Sequence, residues 1–162
     1  MVNEFIYLGA CATCDGSSES EILGRIGIAR NCMTLLDKHV WKSRIRVDTK
    51  VRLYQTYVLP VLMYGSEAWT ITNATARRLD AFDTLSLRKI LRIPYTRHVT
   101  NASVRETTGC PPVSSTIKTR RFRFFGHVAR SGSRQDHQRA VNASLRPPRD
   151  WRRPRGHLAE GD

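Results

Sequence analysis

Apolar residues recur at intervals of three and four along most of this chain, and this spacing predicts amphipathic helices. The first helix is expected over residues 19–38, where Ser18 and Glu21 have the spacing of a capping box. Its apolar positions fall on one face, which we expect to be buried. These positions are Ile22, Ile26, Ala29, Met33, Leu36 and Val40.

The most apolar stretch, residues 51–69, predicts a second helix at the centre of the fold, with Asp48 as its candidate cap. Pro60 lacks an amide hydrogen and crowds the carbonyl oxygen of Thr56, so this helix is expected to kink or shift near its last turn. Gly65 is a suitable stop. The apolar face of the helix consists of Val51, Tyr54, Val58 and Leu62.

Three further helices are predicted towards the C-terminus. The first begins at Thr72 or Asn73 and ends before Pro94, and a short one at residues 101–107 is closed by Gly109. Ser114 is the expected cap of the last helix. The inward positions of the long helix are Leu79, Phe82, Leu85, Ile90 and Ile93. One side of the last helix carries Ile117, Arg121, Phe124 and Val128, of which Phe124 is expected to be buried.

The two ends of the chain follow other patterns. Residues 4–11 alternate as in a short strand, and Asp15-Gly16 supplies turn chemistry. After Ser131 the apolar period fades into a segment rich in proline and arginine, which we expect to be poorly ordered because it buries little apolar surface. The sequence thus predicts a mainly α fold preceded by a short N-terminal strand or hairpin and divided into residues 1–16, 17–132 and 133–162.

The charge of the chain is large and graded. The net charge is +13, with residues 1–40 at −2, residues 41–72 at +3, residues 73–108 at +4 and residues 109–162 at +8. This excess predicts a polyanionic partner, with nucleic acid favoured over a membrane surface and no small-molecule substrate. A merely soluble cationic protein is the alternative.

Several other classes of protein are disfavoured by motifs. We find no signal peptide and no apolar run as long as a membrane span, and the four cysteines lack framework spacing, so an intracellular protein, nuclear or cytoplasmic, is expected. Cys11 and Cys14 have a metal-like spacing but no second pair. Asp80 and Asp83 lie one helical turn apart, where helix-dipole and ion-pair roles explain them more simply than a metal site.

Basic and aromatic residues alternate in the last predicted helix. Cationic side chains neutralise phosphates, and exposed aromatic rings stack on bases. The alternative is a helix whose phenylalanines are buried and whose arginines are only solvated. The residues concerned are Lys118, Arg120, Arg121, Phe122, Arg123, Phe124, Phe125, His127 and Arg130.

Taken together, the motifs resemble the C-terminal part of reverse transcriptases from non-LTR (LINE-type) retrotransposons. The matching blocks follow the order of that family and cover about residues 4–155. They are residues 5–9 (FIYLG), 15–26, 50–69 (KVRLYQTYVLPVLMYGSEAW), 78–93, 101–108 and 120–130 (RRFRFFGHVAR).

The resemblance implies a helical, thumb-like bundle that holds the backbone of an RNA or DNA template-primer. It places Tyr7, Leu8 and Gly9 in the primer grip and Lys50 and Arg52 in the thumb segment. The later basic block would also bind nucleic acid. That block comprises Lys118, Arg120, Arg121, Arg123, His127 and Arg130.

The same resemblance implies that this sequence has no catalytic residue. The family's catalytic aspartates lie in a palm motif upstream of the position matched by Tyr7, and no such motif occurs here. We therefore expect a truncated polymerase fragment, separated from its palm and fingers, without a metal or cofactor; Mg²⁺ would serve only a full-length enzyme. The alternatives are an independent basic nucleic-acid-binding module or regulator, and a nonfunctional translated remnant.

Overall fold

A computed structural model describes residues 17–94 and 96–130 in full, the backbone of residues 4–7 and 10–13, and residues 136 and 139. The chain divides into two units, Met1–Phe122 and Arg123–Asp162. The predicted divisions at residues 16 and 132 stay predictions, and the tail predicted from residue 133 onward lies, but for two positions, outside the described residues.

The mainly α fold is confirmed. Two short antiparallel strands precede the helices, with Glu4 opposite Thr13 and Tyr7 opposite Ala10. The elements in order are β1 (Glu4–Tyr7), β2 (Ala10–Thr13), α1 (Glu19–Leu35), a π-helical turn (Asp37–Trp41), α2 (Val47–Leu53), a π-helical segment (Tyr54–Val58), α3 (Leu59–Leu62), α4 (Asn73–Ile90), α5 (Asn101–Thr108) and α6 (Val113–Arg130).

The core of the first unit is built from one face of each helix. The predicted face of the central stretch is confirmed, because Val51, Tyr54, Val58 and Leu62 are all buried. This stretch packs against α1, and α4 packs against α1, α2 and α5. Burial of each such apolar side chain contributes about 1.5–3 kcal/mol. Further core residues are Ile22, Ile26, Ala29, Met33, Leu79, Phe82, Leu87, Ile90, Val104, Val113 and Ile117.

The start of α1 differs from the prediction. Ser18 occupies the cap position, but its hydroxyl accepts a hydrogen bond from the backbone amide of Thr70 at 2.9 Å, and no capping box forms. Glu21 pairs with Arg25 at 2.8 Å. The capping-box prediction is therefore wrong, since tertiary and side-chain partners replace the local ones.

The predicted irregularity near Pro60 takes the form of a change of helix type, which the sequence does not specify. The backbone is π-helical over Tyr54–Val58 and returns to α-helical geometry at Leu59. The wider π turn relieves the contact between the Pro60 ring and the carbonyl of Thr56. Asp48 is not the cap of α2, because Arg46 precedes the helix and Asp48 lies within its first turn.

The ends of α4 combine local and tertiary signals. Thr72 and Thr75 form a reciprocal capping box at its start. Leu85, which was predicted to face inward, is 67% exposed, so that prediction is wrong. At the other end Arg92 has a φ of 54°, and the amide of Ile93 donates to the carbonyl of Arg88 at 3.0 Å. This Schellman arrangement normally has glycine at the position of Arg92.

A buried carboxylate links the central stretch, α4 and α5. Asp83 is 1% exposed; its Oδ1 accepts from the Tyr54 hydroxyl at 2.6 Å and its Oδ2 from Arg105 Nη1 at 2.7 Å. The same Arg105 nitrogen donates to the carbonyl of Pro111 at 3.0 Å, and Nη2 donates to the Thr84 hydroxyl at 3.1 Å. Burial raises the pKa of Asp83, while Tyr54 and Arg105 oppose that rise.

Arg105→Met should destabilise the protein by about 3 kcal/mol, because it leaves the Asp83 carboxylate buried without its counter-charge. Arg46→Met is the matched control, since Arg46 pairs with Asp48 at 3.3 Å on the exposed surface and such pairs contribute less than about 1 kcal/mol. Urea unfolding measures both. Equal losses of unfolding free energy in the two variants would contradict the role of Arg105 as the counter-charge of a buried carboxylate.

The pH dependence of Arg105→Met provides a second signature. Without the guanidinium, the pKa of Asp83 in the folded state rises further. A carboxyl group whose pKa is higher in the folded than in the unfolded state adds stability at a pH below the unfolded-state pKa, and this contribution is lost as the pH rises through the folded-state pKa. The deficit relative to wild type should therefore grow from acid to neutral pH. A deficit that is constant over that range would rule out the buried carboxylate as its cause.

Candidate nucleic-acid interface

The N-terminal end of α6 is held by a carboxylate from α4. Asp80 Oδ1 accepts from the backbone amide of Ser114 at 3.0 Å, and Oδ2 accepts from the Ser114 hydroxyl at 2.7 Å. Val113 and Ile117 are buried beside this cap. Ser114 is therefore not the cap that the sequence predicts, and Asp80 favours the start of α6 rather than serving only its own helix.

The basic residues predicted to bind nucleic acid on α6 carry no counter-charge within their helix. No aspartate or glutamate occurs between residues 113 and 130. Among the described residues, none forms an ion pair with the five cationic side chains of this helix. Arg120 is half-buried and the other four are exposed; the five are Lys118, Arg120, Arg121, Arg123 and Arg130.

The phenylalanines of α6 are solvent-exposed. Phe122 is 75% exposed, Phe124 53% and Phe125 59%. The predicted burial of Phe124 is therefore wrong, although Val128 one turn further on is buried as predicted. Helical spacing identifies an apolar face, but it does not determine whether another element covers each residue on that face. Exposed aromatic rings among cations are a surface on which bases can stack.

Lys50 has an internal role that differs from that of the α6 cations. Its ammonium group donates to the carbonyl oxygens of Trp41 at 2.9 Å and Ser43 at 2.8 Å, and the residue is 3% exposed. Burial, and then the charge of Arg92, lowers the pKa of Lys50. Direct contact of Lys50 with a phosphate stays a prediction, and its present contacts hold the chain between the π-helical turn and α2.

The remaining predicted site residues are placed as follows. Tyr7 is the last residue of β1, whereas Leu8 and Gly9 lie outside the described residues. Arg52 is exposed on α2, and His127 is exposed on α6. The described contacts do not join Lys50 or Arg52 to the cations at the start of α6. Their binding of nucleic acid stays a prediction.

Sequence reasoning missed a second group of cations around Asp37. Lys42 Nζ lies 2.9 Å from Asp37 Oδ2, and Lys89 Nζ lies 3.1 Å from Oδ1. Arg92 Nε and Nη2 donate to the carbonyls of Trp41 at 3.3 Å and Ser43 at 2.7 Å. One signal in the sequence was available: α4 must end before Pro94, yet no glycine lies just before that proline to form the usual C-terminal cap. Another residue, here Arg92, must therefore take that position.

The two candidate metal patterns resolve differently. Asp80 binds Ser114, whereas Asp83 binds Tyr54 and Arg105, so the two carboxylates serve separate partners. Cys11 lies in β2 and Cys14 falls outside the described residues. Within the described part of the chain, no group of three or more histidine, cysteine or acidic residues could hold a metal ion.

None of the helices in the described ranges is long and apolar enough to cross a membrane.

A comparison with curated proteins finds a distant transposon-derived relative. The chain is 28% identical over 156 residues to an uncharacterized transposon-derived protein of Caenorhabditis elegans. The match covers 94% of this chain and 54% of that protein, so the chain spans about half the length of its curated relative. No protein-family model matches the chain, and no solved structure matches it.

Asp80→Ala should destabilise the protein by about 1 kcal/mol, because the backbone amide and hydroxyl of Ser114 lose their acceptor. Asp80→Asn should cost less, since its amide oxygen can still accept from the Ser114 backbone. Glu106→Ala is the control, because Glu106 is an exposed acidic residue in α5. Thermal and urea unfolding compare the three; an Asp80→Ala loss no larger than that of Glu106→Ala would contradict the capping role.

Proposed function

We propose that this chain is the helical, thumb-like part of a transposon-derived RNA-directed DNA polymerase and binds the phosphate backbone of a template-primer without sequence preference. The observation that carries the proposal is the set of cations on α6 that have no acidic neighbour in their helix. Supporting observations are the mainly α fold, the ordered resemblance of the motifs, and the similarity to a protein described as transposon-derived.

The chemistry available to these residues is electrostatic. Arginine donates two parallel hydrogen bonds to phosphate oxygens, and release of condensed counterions drives binding. Anchoring of α6 by Asp80 and by burial of Ile117 keeps its first turns in place, so the cations need not be ordered on binding. None of these side chains can replace the carboxylates that hold Mg²⁺ in a polymerase, so the chain by itself binds and does not polymerise.

A second candidate is an independent nucleic-acid-binding module that uses α6 on single strands. The three exposed phenylalanines of α6 favour it, because aromatic rings stack on unpaired bases and are less useful against the backbone of a duplex. The two candidates differ in the preferred ligand: duplex or RNA–DNA hybrid with a primer end for the first, and single strands for the second.

Fluorescence anisotropy of the full 162-residue chain should show binding to an RNA–DNA hybrid that weakens steeply between about 50 and 200 mM salt. Arg121→Gln/Arg123→Gln should weaken binding and lower the slope of log affinity against log salt by about 2, that is about 1 for each phosphate contact. The control, Arg30→Gln/Arg77→Gln, removes two exposed arginines of α1 and α4 and should leave the slope near wild type.

The same preparation should give no primer extension with Mg²⁺ or Mn²⁺. Nucleotide incorporation would overturn the noncatalytic assignment, and absent or salt-insensitive binding would overturn the binding assignment. Stronger binding to single strands, lost in Phe122→Leu/Phe125→Leu, would favour the independent module. A preference of several orders of magnitude for one sequence would favour a regulator over a thumb-like domain.

A further inference from the structure

A cavity of about 350 Å³ opens where the π-helical turn Asp37–Trp41 meets the end of α4. Asp37, Trp41, Lys42, Lys89 and Arg92 line it. Three of these five residues are cations and one is a carboxylate, so the lining carries a net charge of +2. It lies wholly within the first unit of the chain and includes none of the predicted site residues.

The carboxylate of Asp37 positions the lysines without neutralising them. One oxygen faces Lys42 Nζ and the other faces Lys89 Nζ, and these two close ammonium groups lower the pKa of Asp37, so it stays charged at neutral pH. The side chains of Lys42 and Lys89 are 72% and 41% exposed. Each ammonium group has three donors, and its single ion pair with Asp37 leaves at least two for a ligand.

Arg92 is held over the cavity at a cost in backbone energy. Its φ of 54° is the left-handed conformation, which costs a non-glycine residue on the order of 1 kcal/mol or more. Two of its nitrogens, Nε and Nη2, donate to the carbonyls of Trp41 and Ser43. Nη1 makes no hydrogen bond to any described residue and has two donors for a bound anion.

The two carbonyls that Arg92 contacts are already doubly occupied. Lys50, whose side chain is buried, donates to the same two oxygens as Arg92. Two cations therefore share two neutral acceptors, and the charge of Arg92 contributes to the lowered pKa of Lys50. These carbonyls are neutral, so they do not cancel the net positive charge of the cavity lining. An anion bound in the cavity would therefore be attracted by that charge.

We propose that this cavity binds one backbone phosphate of a nucleic acid, with Lys42, Lys89 and Arg92 as its donors. The proposal rests on the proposed function, and it adds a second phosphate contact, separate in sequence from those of α6. Two further cationic residues, Arg44 and Arg46, follow Lys42 in the chain and are exposed, and Arg46 pairs with Asp48. An extended polyanion, rather than a small free anion, matches a surface of this kind.

The first test is a titration of the full chain with inorganic phosphate at constant ionic strength, followed by amide chemical shifts. Saturable shifts should appear at Lys42, Lys89 and Arg92, should be absent with chloride, and should be lost in Lys42→Gln/Lys89→Gln. Arg30→Gln/Arg77→Gln removes the same number of charges away from the cavity and should keep the shifts. Shifts that are absent, or equal with chloride, overturn the site.

The second test compares the same variants in hybrid binding. Lys42→Gln/Lys89→Gln should lower the slope of log affinity against log salt by about 1 and weaken binding by about threefold to tenfold relative to the Arg30→Gln/Arg77→Gln control. Equal effects of the two variants, or phosphate shifts without any change in hybrid affinity, would overturn the assignment to nucleic acid.

Failure of the two proposals can be distinguished. A wild-type chain that binds no nucleic acid refutes the proposed function, whereas the phosphate titration decides the site by itself. Unfolding curves exclude loss of fold as the cause, since both lysine side chains are substantially exposed and their replacement should change stability by less than about 1 kcal/mol.

Discussion

The buried carboxylate of Asp83 is the constraint on which the helical bundle depends. It accepts hydrogen bonds from Tyr54 in the π-helical segment and from Arg105 in α5, and it belongs to α4 itself. A buried charge is tolerated only when it is paired and hydrogen-bonded. The three elements must therefore meet in one arrangement for any of them to pack well.

This arrangement also positions α6. Arg105 donates to the carbonyls of Cys110 and Pro111, in the link that leads to α6, at 3.3 and 3.0 Å. Asp80, one turn before Asp83, accepts from Ser114 in the first turn of α6. The two acidic residues thus act together to position the start of α6, whose cationic residues have no acidic neighbour within the helix. The same part of α4 therefore stabilises the bundle, through Asp83, and positions the start of the candidate interface, through Asp80.

The basic residues of the described chain fall into two groups with different physical roles. Lys50 and Arg105 turn inward and satisfy carbonyls or a carboxylate, so part of the large net charge is needed for folding. The cations of α6 turn outward. A count of charges cannot separate these groups, because a buried lysine and an exposed one contribute equally to a net charge of +13. Sequence reasoning therefore predicts nucleic-acid binding for Lys50 and for the α6 cations alike, although Lys50 is buried and most of the α6 cations are exposed.

The sequence alone determined the helical class, the buried faces of the first two helical stretches, an irregularity of the helix near Pro60 and the turn at Gly109, because these depend on contacts between residues close in the chain. It did not determine what covers a given residue or which distant partner completes a hydrogen bond. Leu85 and Phe124 lie at helical spacing yet are exposed. Ser18, Asp80 and Arg92 have partners 52, 34 and 51 positions away. Only the tertiary structure brings such partners together, since the spacing of residues along one helix contains no information about the element that packs against it.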